Sequence, residues 1–316
     1  MAADPHLLLR EVFGHDAFRP GQEEAVQAAL DGRDALVVMP TGSGKSLCYQ
    51  LPALGALRLT IVVSPLLALM RDQVEALRRL GREDVAALSS DTPADEVEAI
   101  LRSLGGGAAS LLDEAPAMRL LYVAPERFAN ARFADAIAAA QVDLLVVDEA
   151  HCLSEWGHDF RPDYGRLAQV RERIAPRCVM ALTATATTAT SLDIARRLAL
   201  RDPVEVHTGF DRPNLAFDAF EASGRARRLQ LLEDGLADPA MRPAIVYART
   251  RKDTEMVAEA LAAAGIPAEA YHAGLDREER QRRQDRFMAS GDGVVVATTA
   301  FGMGVDKADI RQVWHW

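Results

Sequence analysis

Met39-Pro40-Thr41-Gly42-Ser43-Gly44-Lys45-Ser46 is the turn that decides the fold of this 316-residue chain. The apolar run Ala35–Met39 enters it and reads as a short buried strand, and Ser46–Leu51 leaves it as the opening of a helix. Strand, glycine-rich turn, then Lys-Ser at a helix start is the layout of a phosphate-binding loop. Gly42 and Gly44 let backbone N–H groups close on an anion, with Thr41 and Ser43 completing the cradle, and the helix N-terminus adds a favourable dipole. Lys45 is placed to reach the outer phosphates of a nucleotide such as ATP, and the Ser46 hydroxyl suits Mg2+. Met39 stands where the strict pattern has glycine, so the match is to a looser variant. Lysine occurs only at positions 45, 252 and 307, so composition does not account for a Lys-Ser pair here.

Length allows two domains with sizeable cores. Hydrophobic content of 49% and charged content of 26% are those of an ordinary globular protein. No apolar run approaches the roughly 20 residues of a membrane span, and no secretory signal is visible at the N-terminus. Cys48, Cys152 and Cys178 are widely separated and odd in number; they suit reduced cytosolic thiols rather than a disulfide framework or a zinc site. The net charge of −10 counts against bulk attraction to nucleic acid but leaves room for a local basic groove.

Upstream, His6–Phe13 predicts a short amphipathic helix closed by Gly14, and a second helix follows through Leu30 with Pro20 just inside its start. Beyond the loop, Leu59–Val63, Leu120–Val123, Val142–Val147 and Cys178–Leu182 read as buried strands, and Leu66–Leu80 as a helix. Gly105–Ser110 reads as a flexible surface loop. Strands alternating with helices imply an α/β fold, a parallel sheet with helices on both faces. Each polar cluster sits at a strand's carboxyl end, where such sheets bind ligands. Asp202–Pro213, rich in charge and proline, reads as a crossing between domains. The pattern then restarts with strands Ala244–Tyr247, Ala268–Tyr271 and Val294–Thr298, helices Asp253–Ala263 and Arg277–Met288, and a last strand at Val313–Trp316. The expected domains are 1–206 and 207–316.

Asp148-Glu149-Ala150-His151 follows the most continuous of these strands. A phosphate-loop NTPase needs a carboxylate here to share the magnesium with Ser46, and Asp148 fits. Glu149 is suited to orienting or deprotonating the attacking water. His151 is read as a switch or hydrogen-bonding residue, since its spacing with Cys152 and His158 matches no zinc pattern. Ahead of the loop, Gln22 can pair with the N6/N7 edge of adenine, and Arg19 or His15 can stack on the base. Between Glu155 and Tyr164, Trp156, His158, Phe160 and Arg161 interleave aromatic and cationic groups in the manner of a single-strand DNA contact, although a core-packed loop would also hold Trp156 or Tyr164.

In this order the clusters resemble a superfamily two helicase, and specifically the RecQ family of DNA helicases. Phe18-Arg19-Pro20-Gly21-Gln22 is similar to that family's adenine motif, Met39–Ser46 to motif I, Ser64–Gln73 to motif Ia and Tyr122–Arg127 to a further motif. Asp148–His151 with Trp156-Gly157-His158-Asp159-Phe160 resembles motif II and the aromatic-rich loop, and Thr183-Ala184-Thr185 motif III. Phe210–Asn214, Tyr271–Gly274 and Ala297–Asp306 match inter-domain and second-domain motifs. His15 stands where the family usually has tyrosine, Glu155 replaces a common glutamine, and Ala248-Arg249-Thr250-Arg251 is an unusual motif IV.

The resemblance implies two RecA-like lobes with parallel sheets and ATP held between them, the second lobe C-terminally incomplete. It implies ATP and Mg2+ as cofactors, single-stranded and partially duplex DNA as partners, and 3′-to-5′ translocation with unwinding in repair or recombination. Thr298 and Thr299 are expected to touch DNA phosphates or the nucleotide. A bacterial, cytoplasmic, nucleoid-associated protein is the expected setting. These 316 residues stop before motif VI, which supplies the family's arginine finger, so impaired hydrolysis is expected. The competing expectation is a non-catalytic module that binds nucleotide and DNA.

Overall fold

The computed structural model describes residues 4–104, 118–154, 161–209, 214–299, 301 and 307–316. The chain forms two compact units, Met1–Arg212 and Pro213–Trp316.

In the first unit, α1 (Pro5–Phe13) starts on Asp4, whose carboxylate accepts the His6 N–H, and ends at left-handed Gly14. Next come α2 (Gln22–Asp31), β1 (Ala35–Val38), α3 (Leu47–Gly55), β2 (Thr60–Val63) and α4 (Leu67–Arg79). They are followed by β3 (Val85–Leu88), α5 (Ala94–Leu104), β4 (Leu120–Val123), α6 (Ala131–Ala139) and β5 (Leu144–Val147). The unit closes with α7 (Leu167–Ile174), β6 (Cys178–Thr183), α8 (Thr188–Arg197) and β7 (Val204–His207).

The strand order is β3-β4-β2-β5-β6-β1-β7, and every pairing is parallel. Successive residues of a strand face opposite sides, so a sheet covered on both faces needs continuous apolar strands. Leu36, Val38, Ile61, Val63, Leu145 and Val147 pack into one core; Ala35, Val37, Val62, Tyr122, Val146 and Met180 pack into the other. Buried Asp34 ties three strands at their amino ends, accepting the Val179 N–H at 2.8 Å and the Arg201 N–H at 2.7 Å.

Two expectations need correction. The Asp202–Pro213 crossing contains β7, which pairs with β1 and places the expected boundary after residue 206 inside a strand of the first sheet. Pro20 lies in the turn ahead of α2, whose N-cap is Gly21 at φ 80°. Gly105–Ser110 lies outside the described residues.

The second unit contains α9 (Arg225–Leu236), β8 (Ala244–Tyr247), α10 (Arg251–Ala263), β9 (Ala268–Tyr271), α11 (Arg277–Ala289), β10 (Val294–Ala297) and β11 (Gln312–His315). Its sheet is parallel in the order β11-β8-β10-β9, with Val246, Val257, Leu261 and Val296 in its core. Among the described residues no helix is long and apolar enough to cross a membrane.

Candidate nucleotide site

The site lies at the carboxyl edge of the first sheet. β1 delivers Met39–Ser46, and β5 delivers Asp148 and Glu149. Only β6 separates these strands, so their ends are about 10 Å apart, two inter-strand spacings. Both strands run the same way, which puts both groups on one edge. Period-two alternation turns Asp148 toward the face of Val146, the face that α3 covers.

Gly42 and Gly44 sit at φ 81° and 83°, a region where a side chain is strained. A Cβ on Gly44 would also lie 2.5 Å from the Gln22 amide nitrogen. Three hydrogen bonds from two side chains pull the loop carbonyls outward. Arg19 Nη1 donates to the Gly42 oxygen at 2.9 Å, and Gln22 Nε2 to the Ser43 and Gly44 oxygens, each at 3.1 Å. The opposite, N–H side of the loop is left for a ligand: among the described residues the N–H groups of Gly44, Lys45 and Ser46 donate to no protein acceptor. A ring of unspent donors at a helix start fits an anion. Lys45 Nζ rests on the Met39 carbonyl at 3.1 Å. Burial pulls its pKa down, while the carboxylates of Glu149 and Asp148 act against that shift.

Asp148 is 8% exposed. Its Oδ1 accepts the Glu149 N–H at 3.0 Å, and Ser64 Oγ stands 3.5 Å from its Oδ2. Burial raises its pKa to about 6, helped by the charge of Glu149 and opposed by the Glu149 N–H, Lys45 and Ser64. A buried carboxylate whose ionised form is under-compensated suits a cation. Mg2+ retains several waters, so one carboxylate and a hydroxyl such as that of Ser46 are a sufficient protein contribution. Among the described residues no group of three or more His, Cys, Asp and Glu could hold a metal, and the three cysteines are buried and free.

Glu149 occupies the left-handed region at φ 47°, a strained backbone of the kind that collects at functional sites. His151 Nδ1 stands 3.3 Å from Glu149 Oε2 and 3.0 Å from Thr183 Oγ1, joining the exits of β5 and β6. Thr183 is fastened in turn to the Thr185 backbone.

The structure therefore gathers Arg19, Gln22, Thr41, Gly42, Ser43, Gly44, Lys45, Ser46, Asp148, Glu149 and His151 around one sheet edge. The Gln22 side chain, expected on adenine, spends its amide N–H groups on the loop, and its Oε1 accepts the Arg19 N–H. His15 is exposed beyond α1. Arg161 has its N–H on the Cys152 carbonyl and its Nη1 3.5 Å from the Pro65 carbonyl. Trp156, His158 and Phe160 lie outside the described residues. Thr298 and Thr299 follow β10 in the second unit, where the Thr298 N–H donates to the Tyr271 carbonyl. Sequence reasoning missed Ser64 beside Asp148 and the Tyr164 hydroxyl, which donates to the Asp148 carbonyl at 2.9 Å. Ser64 follows β2, the neighbour of β5, so only strand order reveals the first contact.

Residues 19–193 match the DEAD/DEAH box helicase family, and 227–316 match the helicase conserved C-terminal domain. The chain is 41% identical over 312 residues to the ATP-dependent DNA helicase RecQ of Haemophilus influenzae, covering 98% of this chain and 48% of that protein. It is 44% identical over 324 residues to the ATP-dependent DNA helicase Q5 of Rattus norvegicus, covering 98% of this chain and 32% of that one. The chain thus spans about half the length of its bacterial relative. Among solved structures, the Mycobacterium smegmatis helicase Lhr bound to ssDNA and AMP-PNP is similar at a TM-score of 0.68 and 23% identity, over 99% of this chain and 44% of that one. The DUF1998 helicase MrfA bound to DNA and AMPPNP reaches 0.72 at 18% identity, over 97% and 45%. These two likenesses speak to the fold alone. The chain belongs to the DEAD/DEAH box helicase family, and the resemblance to RecQ helicases read from its motifs runs along 98% of its length.

Proposed function

We propose that the chain carries ATP-dependent DNA helicase activity of the RecQ type. In this reading, hydrolysis drives 3′-to-5′ movement on single-stranded DNA and the opening of partially duplex DNA in repair or recombination. One observation carries the reading: Lys45 lies close enough to Glu149 and Asp148 for their charges to act on it, across the edge where the unspent N–H groups of the loop converge.

The loop N–H groups and Lys45 would hold the phosphates of ATP. Ser46 and Asp148 would hold Mg2+, which when bound neutralises charge on the phosphate oxygens. Glu149 would orient the attacking water and draw its proton, with His151 fixing the Glu149 carboxylate against Thr183. Arg19 and His15 would flank the base, while Gln22 holds the shape of the phosphate loop beside it. Arg161, Trp156, His158 and Phe160, with Thr298 and Thr299, would meet DNA largely through phosphate and base stacking, contacts that impose no sequence preference.

The test compares ATP hydrolysis with and without single-stranded DNA in the unaltered chain and in Lys45→Ala. DNA is expected to stimulate the first, and Lys45→Ala to abolish the stimulated rate. Equal rates in the two proteins would sink the proposal. Competition between matched DNA and RNA strands tests the substrate class.

A further inference from the structure

The peptide between Asp148 and Glu149 is gripped on both sides. Its N–H donates to Asp148 Oδ1 at 3.0 Å, and its carbonyl accepts the Tyr164 hydroxyl at 2.9 Å. The next carbonyl, that of Glu149, accepts the Cys152 N–H at 2.9 Å. These two peptide planes set the Glu149 backbone at φ 47° and ψ 45°, in the left-handed region. The other non-glycine cases among the described residues are Ala175 and Ala199, just past helix ends, and Asp202, a residue type that tolerates it. Glu149 leaves a strand and has no such reason, so the grip must supply it. Tyr164 is 0% exposed and lies in the core that Leu145, Val147 and Leu153 share. Backbone bonds set its place: its N–H donates to the Arg161 carbonyl and the Arg161 N–H to the Cys152 carbonyl, each at 3.0 Å.

We propose that Tyr164 is a positioning residue for Asp148: its hydroxyl keeps the Glu149 N–H aimed at Oδ1, and so fixes how the carboxylate presents Oδ2 to a cation. The role rests on the nucleotide reading of the site. Turning the peptide over about its two α-carbons would take φ of Glu149 out of the left-handed region and leave both side chains in place. The same turn would exchange N–H and carbonyl, so that a carbonyl oxygen faced the buried Asp148 carboxylate. Backbone strain therefore favours the turned form, and hydrogen bonding favours the observed one. A cation on Asp148 would draw on the same charge that holds the N–H. The loaded site then needs a second hold on the peptide, and the phenol provides it from the core side, where water cannot replace it. Ser64 Oγ, 3.5 Å from Oδ2, is too distant to fix the carboxylate alone.

Two measurements test the role, one of them without nucleotide. Glu149→Gly and Glu149→Ala both remove the carboxylate, so their difference reports the backbone alone. In EDTA, Glu149→Gly is expected to melt about 2–4 °C above Glu149→Ala, because only glycine is at ease in the left-handed region. With Tyr164→Phe added to each, the peptide is free to turn over and that lead is expected to close. The second measurement is binding of a fluorescent ATP analogue titrated with Mg2+. Tyr164→Phe is expected to raise the Mg2+ concentration required about tenfold and to leave binding without Mg2+ unchanged, a split that general loss of stability would not produce. Glu149→Gly melting no higher than Glu149→Ala overturns the grip, and a lead that persists beside Tyr164→Phe removes Tyr164 from it. Unaltered Mg2+ dependence in Tyr164→Phe overturns the positioning role. A Tyr164→Phe protein that does not fold makes the hydroxyl an element of the fold and overturns that role as well. Failure of the unaltered chain to bind the analogue, or binding that Lys45→Ala leaves intact, overturns instead the nucleotide reading, which the comparison in EDTA does not use.

Discussion

Replacing Asp148 by Asn should make the nucleotide-free protein more stable while destroying its ability to use magnesium. The Asp148 carboxyl has its pKa raised from 3.8 to about 6, chiefly by burial. A group that holds its proton more tightly in the folded state stabilises that state at low pH and loses the advantage as pH rises through the window from 3.8 to about 6. Above that window the native protein carries a poorly compensated charge. About two pH units at 1.36 kcal/mol each amounts to roughly 3 kcal/mol. Asn is nearly isosteric, and its Oδ1 can still accept the Glu149 N–H that now lies 3.0 Å from Asp148 Oδ1. In a unit of this size each kcal/mol moves Tm by about 2–4 °C, so Asp148→Asn should melt roughly 6–12 °C higher at pH 7.5 in EDTA. The gap should close on acidification toward pH 4. Calorimetry of both proteins across that range decides the matter. A variant that melts no higher than the parent at pH 7.5, or a gap that persists at pH 4, refutes the assignment of Asp148 as an under-compensated buried charge. Adding ATP and Mg2+ should then stabilise the parent and leave the variant where it was.

Gly44→Ala should cost about 1–2 kcal/mol in backbone strain and push Gln22 off the loop carbonyls, weakening nucleotide binding at least tenfold. An unchanged Kd in a nucleotide titration would count against the outward pull on those carbonyls. Tyr164→Phe removes the hydroxyl from the Asp148 carbonyl and should lower stability by about 1–3 kcal/mol in urea unfolding. Loss of less than half a kcal/mol would mean that the carbonyl finds another donor.

The sheet was legible because its central strands are apolar on both faces, and the loop because glycine and Lys-Ser follow such a strand. What escaped has a physical cause in each case. β7, Val204-Glu205-Val206-His207, is an edge strand with only Val206 fully buried, so charge and an adjacent proline made it look like linker. β3 is half alanine, too short and too weakly apolar to stand out. α9 opens on arginines and buries only Leu232 and Leu236, so its apolar stripe is faint. At the site, residue types announced Lys45, Ser46, Asp148 and Glu149. Ser64 and Tyr164 touch Asp148 from other elements, and local spacing cannot report a contact that the sheet order creates.

β1 and β5 are separated by more than a hundred residues of chain and are joined in the sheet by β6, whose own sequence position is later than either. No stretch that has emerged before Thr183 can therefore bring the lysine and the carboxylates together in this arrangement. During synthesis the protein would hold both halves of a triphosphate binder in hand without being able to bind, and nucleotide capture would date the moment at which the sixth strand slots into place.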